Sequence, residues 1–161
     1  MNTLFLICPT DFLETTINKS FKGKNYFYTS LGNSIQLNDK VTVGQIKEFI
    51  STKKITRIIF ILKENNSILH QMNKGSNVMS IQHLEKEIIK SKSEIRKYQD
   101  TSIQKKLCIS NFLNRKVISL EVELKRDFPN ITINAMLYYE FQQKFNPVTP
   151  SLISVANFTL N

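Results

Sequence analysis

The run "ITRIIFIL", residues 55–62, carries nothing but aliphatic and aromatic side chains from Ile58 onward. It does not alternate apolar with polar, so a strand here has no face to give to water. Strands of that kind sit in parallel sheets, where crossover helices cover both faces. "TLFLIC", residues 3–8, has the same character. Two such strands, separated by helical periodicity, restrict the chain to an α/β architecture.

The other elements fit this frame. Pro9 stops the first strand, and Thr10 or Asp11 is positioned to cap a helix over "FLETTINKSF". "KNYFYTS", 24–30, is aromatic and suits a second strand; "LGNSIQLND", 31–39, is a loop with Gly32-Asn33 as its turn signal. Asp39 or Thr42 opens the next helix, whose Val43, Ile46, Phe49 and Ile50 form one apolar stripe. Residues 63–78 read as an irregular loop. A charged helix is expected from Ser80 to Tyr98, with Ile81, Leu84, Ile88 and Ile95 inward, and a longer one over 102–128, ended by Pro129. "ITINAMLYYEF", 131–141, is the last strand, expected at the sheet edge, and "QQKFNPV" turns out of it. The expectation is a single α/β domain over 1–147, a parallel sheet covered by helices on both faces. The tail 148–161 forms an edge strand of that domain or an arm toward a partner.

Composition narrows the function classes. The longest apolar run near the start is too short for a signal peptide or a membrane span, so a soluble, cytoplasmic protein is expected. Cys8 and Cys108 are the only cysteines and no C-x-x-C pair exists, which favours reduced thiols over a disulfide framework or a zinc knuckle. The net charge of +9 invites a nucleic-acid reading. Yet the cations are mostly lysines spread along the chain, and arginine appears only at Arg57, Arg96, Arg115 and Arg126. That pattern speaks to non-specific attraction, not to a phosphate-binding face.

The order of elements and several local strings resemble the β-carbonic anhydrases. That family's first strand ends in C-x-D-x-R, with a zinc-ligand Cys and an Asp–Arg dyad. Its second ends in a stretch like R-N-A-G-N, and its third runs into G-H-x-x-C-G, whose His and Cys complete the zinc site. Here "LFLICPTDF" stands at the first motif, "YFYTSLGNSI" at the second and "RIIFILKENNSIL" at the third. Cys8 matches the first ligand, Gly32 and Asn33 match the final G-N, and Tyr139-Glu140 stands for a closing Y-D. The resemblance spans about residues 3–145 and implies a homodimer.

The departures matter more than the matches. Leu62, Lys63, Asn66 and Ser67 stand where the resemblance implies Gly, the ligand His, the ligand Cys and the second Gly. Thr10 and Phe12 replace the dyad; Asp11 lies one place off and, if it begins a helix, points elsewhere. Catalytic zinc needs about three protein ligands and an open position for water. One ligand in three survives, so the reading is a non-catalytic protein without metal or cofactor, a scaffold or a small-anion-binding module. The alternatives are a zinc site rebuilt from Cys8 with His70 and His83, and a basic nucleic-acid binder. A burial-prone Lys63 needs a countercharge. Asp11 and Glu64 are the internal candidates, and a Lys63–Asp11 ion pair in place of zinc is favoured over a bound anion.

Overall fold

In the computed structural model, residues 1–73, 82–93 and 101–148 are described. The element order is β1 (Asn2–Ile7), α1 (Glu14–Ser20), β2 (Lys24–Thr29), α2 (Lys40–Lys53), β3 (Arg57–Lys63), α3 (Ser67–Asn73), α4 (Gln82–Ser93), α5 (Thr101–Leu124), β4 (Thr132–Tyr139) and β5 (Lys144–Pro147). Single 3₁₀ turns follow β1 at Pro9–Asp11 and β2 at Leu31–Asn33. The strands form one sheet in the order β2-β1-β3-β4-β5. The first four are parallel, and β5 folds back antiparallel on β4.

Period-two alternation divides the core into two layers. On one face Leu4, Leu6, Cys8, Ile58, Phe60, Leu62, Ile133, Ala135 and Leu137 pack with residues of α2, α4 and α5. On the other, Phe5, Ile7, Ile59, Ile61 and Tyr138 pack with Leu13 and Ile17 beside α1 and with Phe21, Phe27 and Phe145. The unbroken apolar character of β1 and β3 is the consequence of serving both layers.

Several boundaries depart from the sequence expectation. Neither Thr10 nor Asp11 caps α1: both lie in or beside the first 3₁₀ turn, and the helix starts after Leu13. Asp39 does cap α2, accepting from the N–H groups of Val41 and Thr42. Residues 67–73, expected as loop, are helical, because Asn66 caps them: its Oδ1 accepts from the Leu69 N–H at 3.0 Å. α5 ends at Leu124, before Pro129. The strand at 132–139 is internal, and the sheet edge belongs to β5, in residues expected to turn away. The expected Ser80 cap, Ile81, Ile95 and the tail from 149 lie outside the described residues.

One charged pair is built into the larger layer. Lys116 on α5 is 4% exposed, donates to the Ile35 carbonyl at 2.9 Å, and pairs with Glu87 of α4. Burial pushes its ammonium pKa down, and Glu87 pulls it back up. The Lys116 head group thereby ties α5, α4 and the loop before α2 to one point. Glu87→Ala leaves a buried cation with its carboxylate gone. A loss on the order of 3 kcal/mol is expected in urea denaturation; an unchanged midpoint would show that water reaches Lys116 freely.

Candidate functional site

In the strand order β2-β1-β3, the chain leaves β1 toward one side and returns to its other side as β3, which makes the carboxyl ends of β1 and β3 a topological switch point. Open α/β sheets bind ligands in the crevice there. Several of the positions compared with the family motifs lie at or beside it: Cys8, Thr10 and Asp11 at the end of β1, Gly32 and Asn33 after β2, Asn66 and Ser67 after β3.

Cys8 is fully buried. Its Sγ accepts from the Gly32 N–H at 3.1 Å and lies 3.1 Å from Thr10 Oγ1. Gly32 has φ +57, and a Cβ there would come 2.7 Å from Leu84 and 3.2 Å from Ile68. Any other residue here would be strained at this positive φ and would push the Leu84 and Ile68 side chains aside. Asn33, also at positive φ, donates Nδ2 to the Ile61 carbonyl at 2.9 Å, fastening the loop after β2 to β3. Ser67 Oγ reaches Thr10 Oγ1 only at 3.5 Å, on the exposed rim.

Asp11 occupies the centre of the network. It is 2% exposed, and its two oxygens accept from the Lys63 backbone N–H at 2.9 Å and from Asn66 Nδ2 at 2.8 Å. Asn66 is equally buried and spends its Oδ1 on the cap of α3, so its amide has one orientation in which all bonds are made. Burial raises the Asp11 pKa; the bonds from Lys63 and Asn66 oppose that rise. The expectation that Asp11 points away is corrected: it sits in a 3₁₀ turn, not an α-helix, and that turn aims its carboxylate inward. Phe12, in the left-handed region at φ 51, is 80% exposed and turns the chain outward.

The expected Lys63–Asp11 ion pair is also corrected. Lys63 follows Ile59 and Ile61 at spacing two, so its side chain emerges on the α1 face, opposite the face of Cys8 and Leu62. There its Nζ meets Glu140 Oε1 at 2.8 Å, and that bond holds the Glu140 carboxyl below its usual pKa. Asp11 receives the backbone of Lys63, not its charge. Glu140 is not among the partners expected from the sequence, and the signal for it is its place just after β4, whose Tyr138 is in register with Lys63.

These residues do not fit a zinc ion. The thiol already accepts a backbone N–H, Asn66 presents a donor to Asp11, and Lys63 presents an ammonium on the far face. Asn33 Oδ1 is a buried acceptor without a hydrogen-bond partner among the described residues, but one amide oxygen is a poor ligand for zinc. Among the described residues no three of His, Cys, Asp and Glu gather into a possible metal site. His70 is exposed on α3. His83 falls on α4, with its side chain outside the described residues.

Two substitutions separate the two corrected roles. Asp11→Ala strands two buried donors and is expected to cost about 1–3 kcal/mol. Lys63→Met loses only a solvent-facing pair and should leave the denaturation midpoint nearly unchanged. The pH dependence has a definite sign. Because the native pKa of Asp11 lies above its ordinary 3.8, folding favours its protonated form. Its contribution is complete below that ordinary value and declines as pH rises through the native pKa. Wild type should therefore lose stability relative to Asp11→Asn as pH climbs from 3.8, and a wild type that gains on the variant over that range would refute the raised pKa.

No family model and no curated protein matches this sequence. Solved structures do. A β-carbonic anhydrase of Aspergillus fumigatus superposes with a TM-score of 0.74 at 10% identity, covering 98% of this chain and 81% of that one. A second from the same fungus gives 0.73 at 15% identity, covering 91% and 88%. A tetrameric β-carbonic anhydrase of Sordaria macrospora gives 0.72 at 12% identity, covering 90% and 79%. At such identities the likeness speaks for the fold. The chain has the β-carbonic anhydrase fold over most of its length.

Proposed function

We propose that this protein is a non-catalytic member of the β-carbonic anhydrase fold, a pseudoenzyme acting as a scaffold or binding module. The observation that carries the reading is the Asp11 network. The crevice where this fold would hold a metal is bridged by hydrogen bonds from Asp11 to Lys63 and Asn66, and the one surviving ligand thiol is engaged by Gly32. Carbon dioxide hydration depends on a nucleophile made by lowering the pKa of water from about 15.7 to about 7, and this set of side chains has no means of doing so. The small-anion version of the reading has less support, because the cation that would hold an anion is committed to Glu140. Self-association and a cytoplasmic setting belong to the same proposal. The Sordaria relative is tetrameric, which supports assembly of this chain with itself, in the simplest case as a homodimer.

The purified protein is expected to carry no stoichiometric zinc and to hydrate carbon dioxide at the background rate. Elemental analysis finding about one zinc per chain, lost in Cys8→Ser, would overturn the proposal.

A further inference from the structure

A lysine is rarely taken out of water without a partner, and a buried ion pair seldom gains stability over apolar side chains of the same volume. Stability alone therefore does not account for the Lys116–Glu87 pair. Lys116 is 4% exposed, with its Nζ 2.7 Å from Glu87 Oε2 and 2.9 Å from the Ile35 carbonyl oxygen. It borders a cleft of about 440 Å³ between α5 and the loop before α2. Leu37, Ile118 and Val122 give the cleft apolar walls, and Asn38 and Ser119 add hydrogen-bonding groups. That size and mixture suit a small organic molecule. A second cavity of about 170 Å³ also borders Lys116, Glu87 and Ser119. None of these residues belongs to the crevice at the switch point.

We propose that Lys116 forms a reversible imine with a small, uncharged aldehyde or ketone held in this cleft, with Glu87 carrying the proton. Burial makes the Lys116 ammonium give up its proton more readily than a surface lysine would, although Glu87 opposes that shift. A desolvated amine in an apolar pocket is the form in which lysine attacks carbonyl carbon. Glu87 takes one ammonium proton, and the Nζ lone pair adds to the carbonyl carbon. The carbonyl oxygen becomes the hydroxyl of a carbinolamine by taking a proton from nitrogen. Glu87 then returns its proton to that hydroxyl, the C–O bond breaks, water leaves, and the nitrogen lone pair closes the C=N bond. Ammonium plus carbonyl thus becomes iminium plus water, with nothing oxidised or reduced. The iminium keeps its positive charge beside Glu87, so the buried carboxylate is never left uncompensated. Charge also selects the ligand. Glu87 and Glu123 bring two carboxylates to the cleft against the one ammonium of Lys116, which disfavours a keto acid. Arg115 borders only the smaller cavity.

The test treats the full chain at neutral pH with butanal and sodium cyanoborohydride, which reduces any imine to a stable butyl amine. Peptide mass mapping then reads each lysine and the N-terminal amine in turn. Lys116 should be labelled about tenfold faster than any other amine, as expected of a desolvated lysine. Pyruvate at equal concentration should label it more slowly than butanal. Labelling of exposed amines with Lys116 untouched, or of Lys116 only in urea, overturns the proposal. Faster labelling by pyruvate overturns the uncharged ligand class. Glu87→Gln, checked for folding by circular dichroism, should slow the labelling of Lys116 at least tenfold, the lower range of what a general base contributes being about a hundredfold. An unchanged rate in the folded variant overturns the role of Glu87. Each outcome is separate from the metal-free reading of the crevice, which zinc analysis tests.

Discussion

Burial of β1 and β3 on both faces is the constraint from which the remaining architecture follows. A strand that gives alternate side chains to two apolar layers needs helices above and below it, and connections long enough to supply them. Phe5, Ile7, Ile59 and Ile61 serve one layer while Leu4, Leu6, Ile58 and Phe60 serve the other. The same alternation fixes which way each residue at a strand's carboxyl end can point. The chemistry of the crevice is therefore set by the parity of the strand that feeds it.

That parity explains how the crevice closes. Cys8 continues the Leu4–Leu6 face and arrives beneath Gly32, whose backbone N–H occupies the thiol. Lys63 continues the opposite face and carries its charge out to Glu140. The space between is bridged by the Asp11 carboxylate, held by a backbone N–H and by an Asn66 amide that is itself fixed by capping α3. Each donor there has an acceptor, an arrangement that holds loops together and competes with any metal for the same groups. The side chains at this crevice are thus engaged with one another, and the fold alone does not say what they do.

A second buried charge follows the same logic by another route. Lys116 sits among apolar neighbours because Glu87 and the Ile35 carbonyl compensate it, and the arrangement pins α4 and α5 over the larger layer. Its ion pair was not legible in the sequence, since Lys116 reads like any of the solvated lysines of this basic chain. Only the meeting of two helices and a loop distinguishes it.

The sequence alone determined the parallel α/β architecture, the assignment of its four long strands and a helix opening at Asp39 or Thr42, because all of these rest on local periodicity or short-range capping. It also determined which motif residues are absent, since identity at a position needs no coordinates. Tertiary structure decided what the replacements do. The inward turn of Asp11 depends on a 3₁₀ turn after Pro9 in place of a helix, and the escape of Lys63 on strand parity and on Glu140 lying 77 residues away. The helix over 67–73 depends on Asn66 having both a cap to make and a buried carboxylate to meet. These are contacts between segments distant in the chain. Their energies come from burial and orientation, which a linear pattern of residue types does not encode.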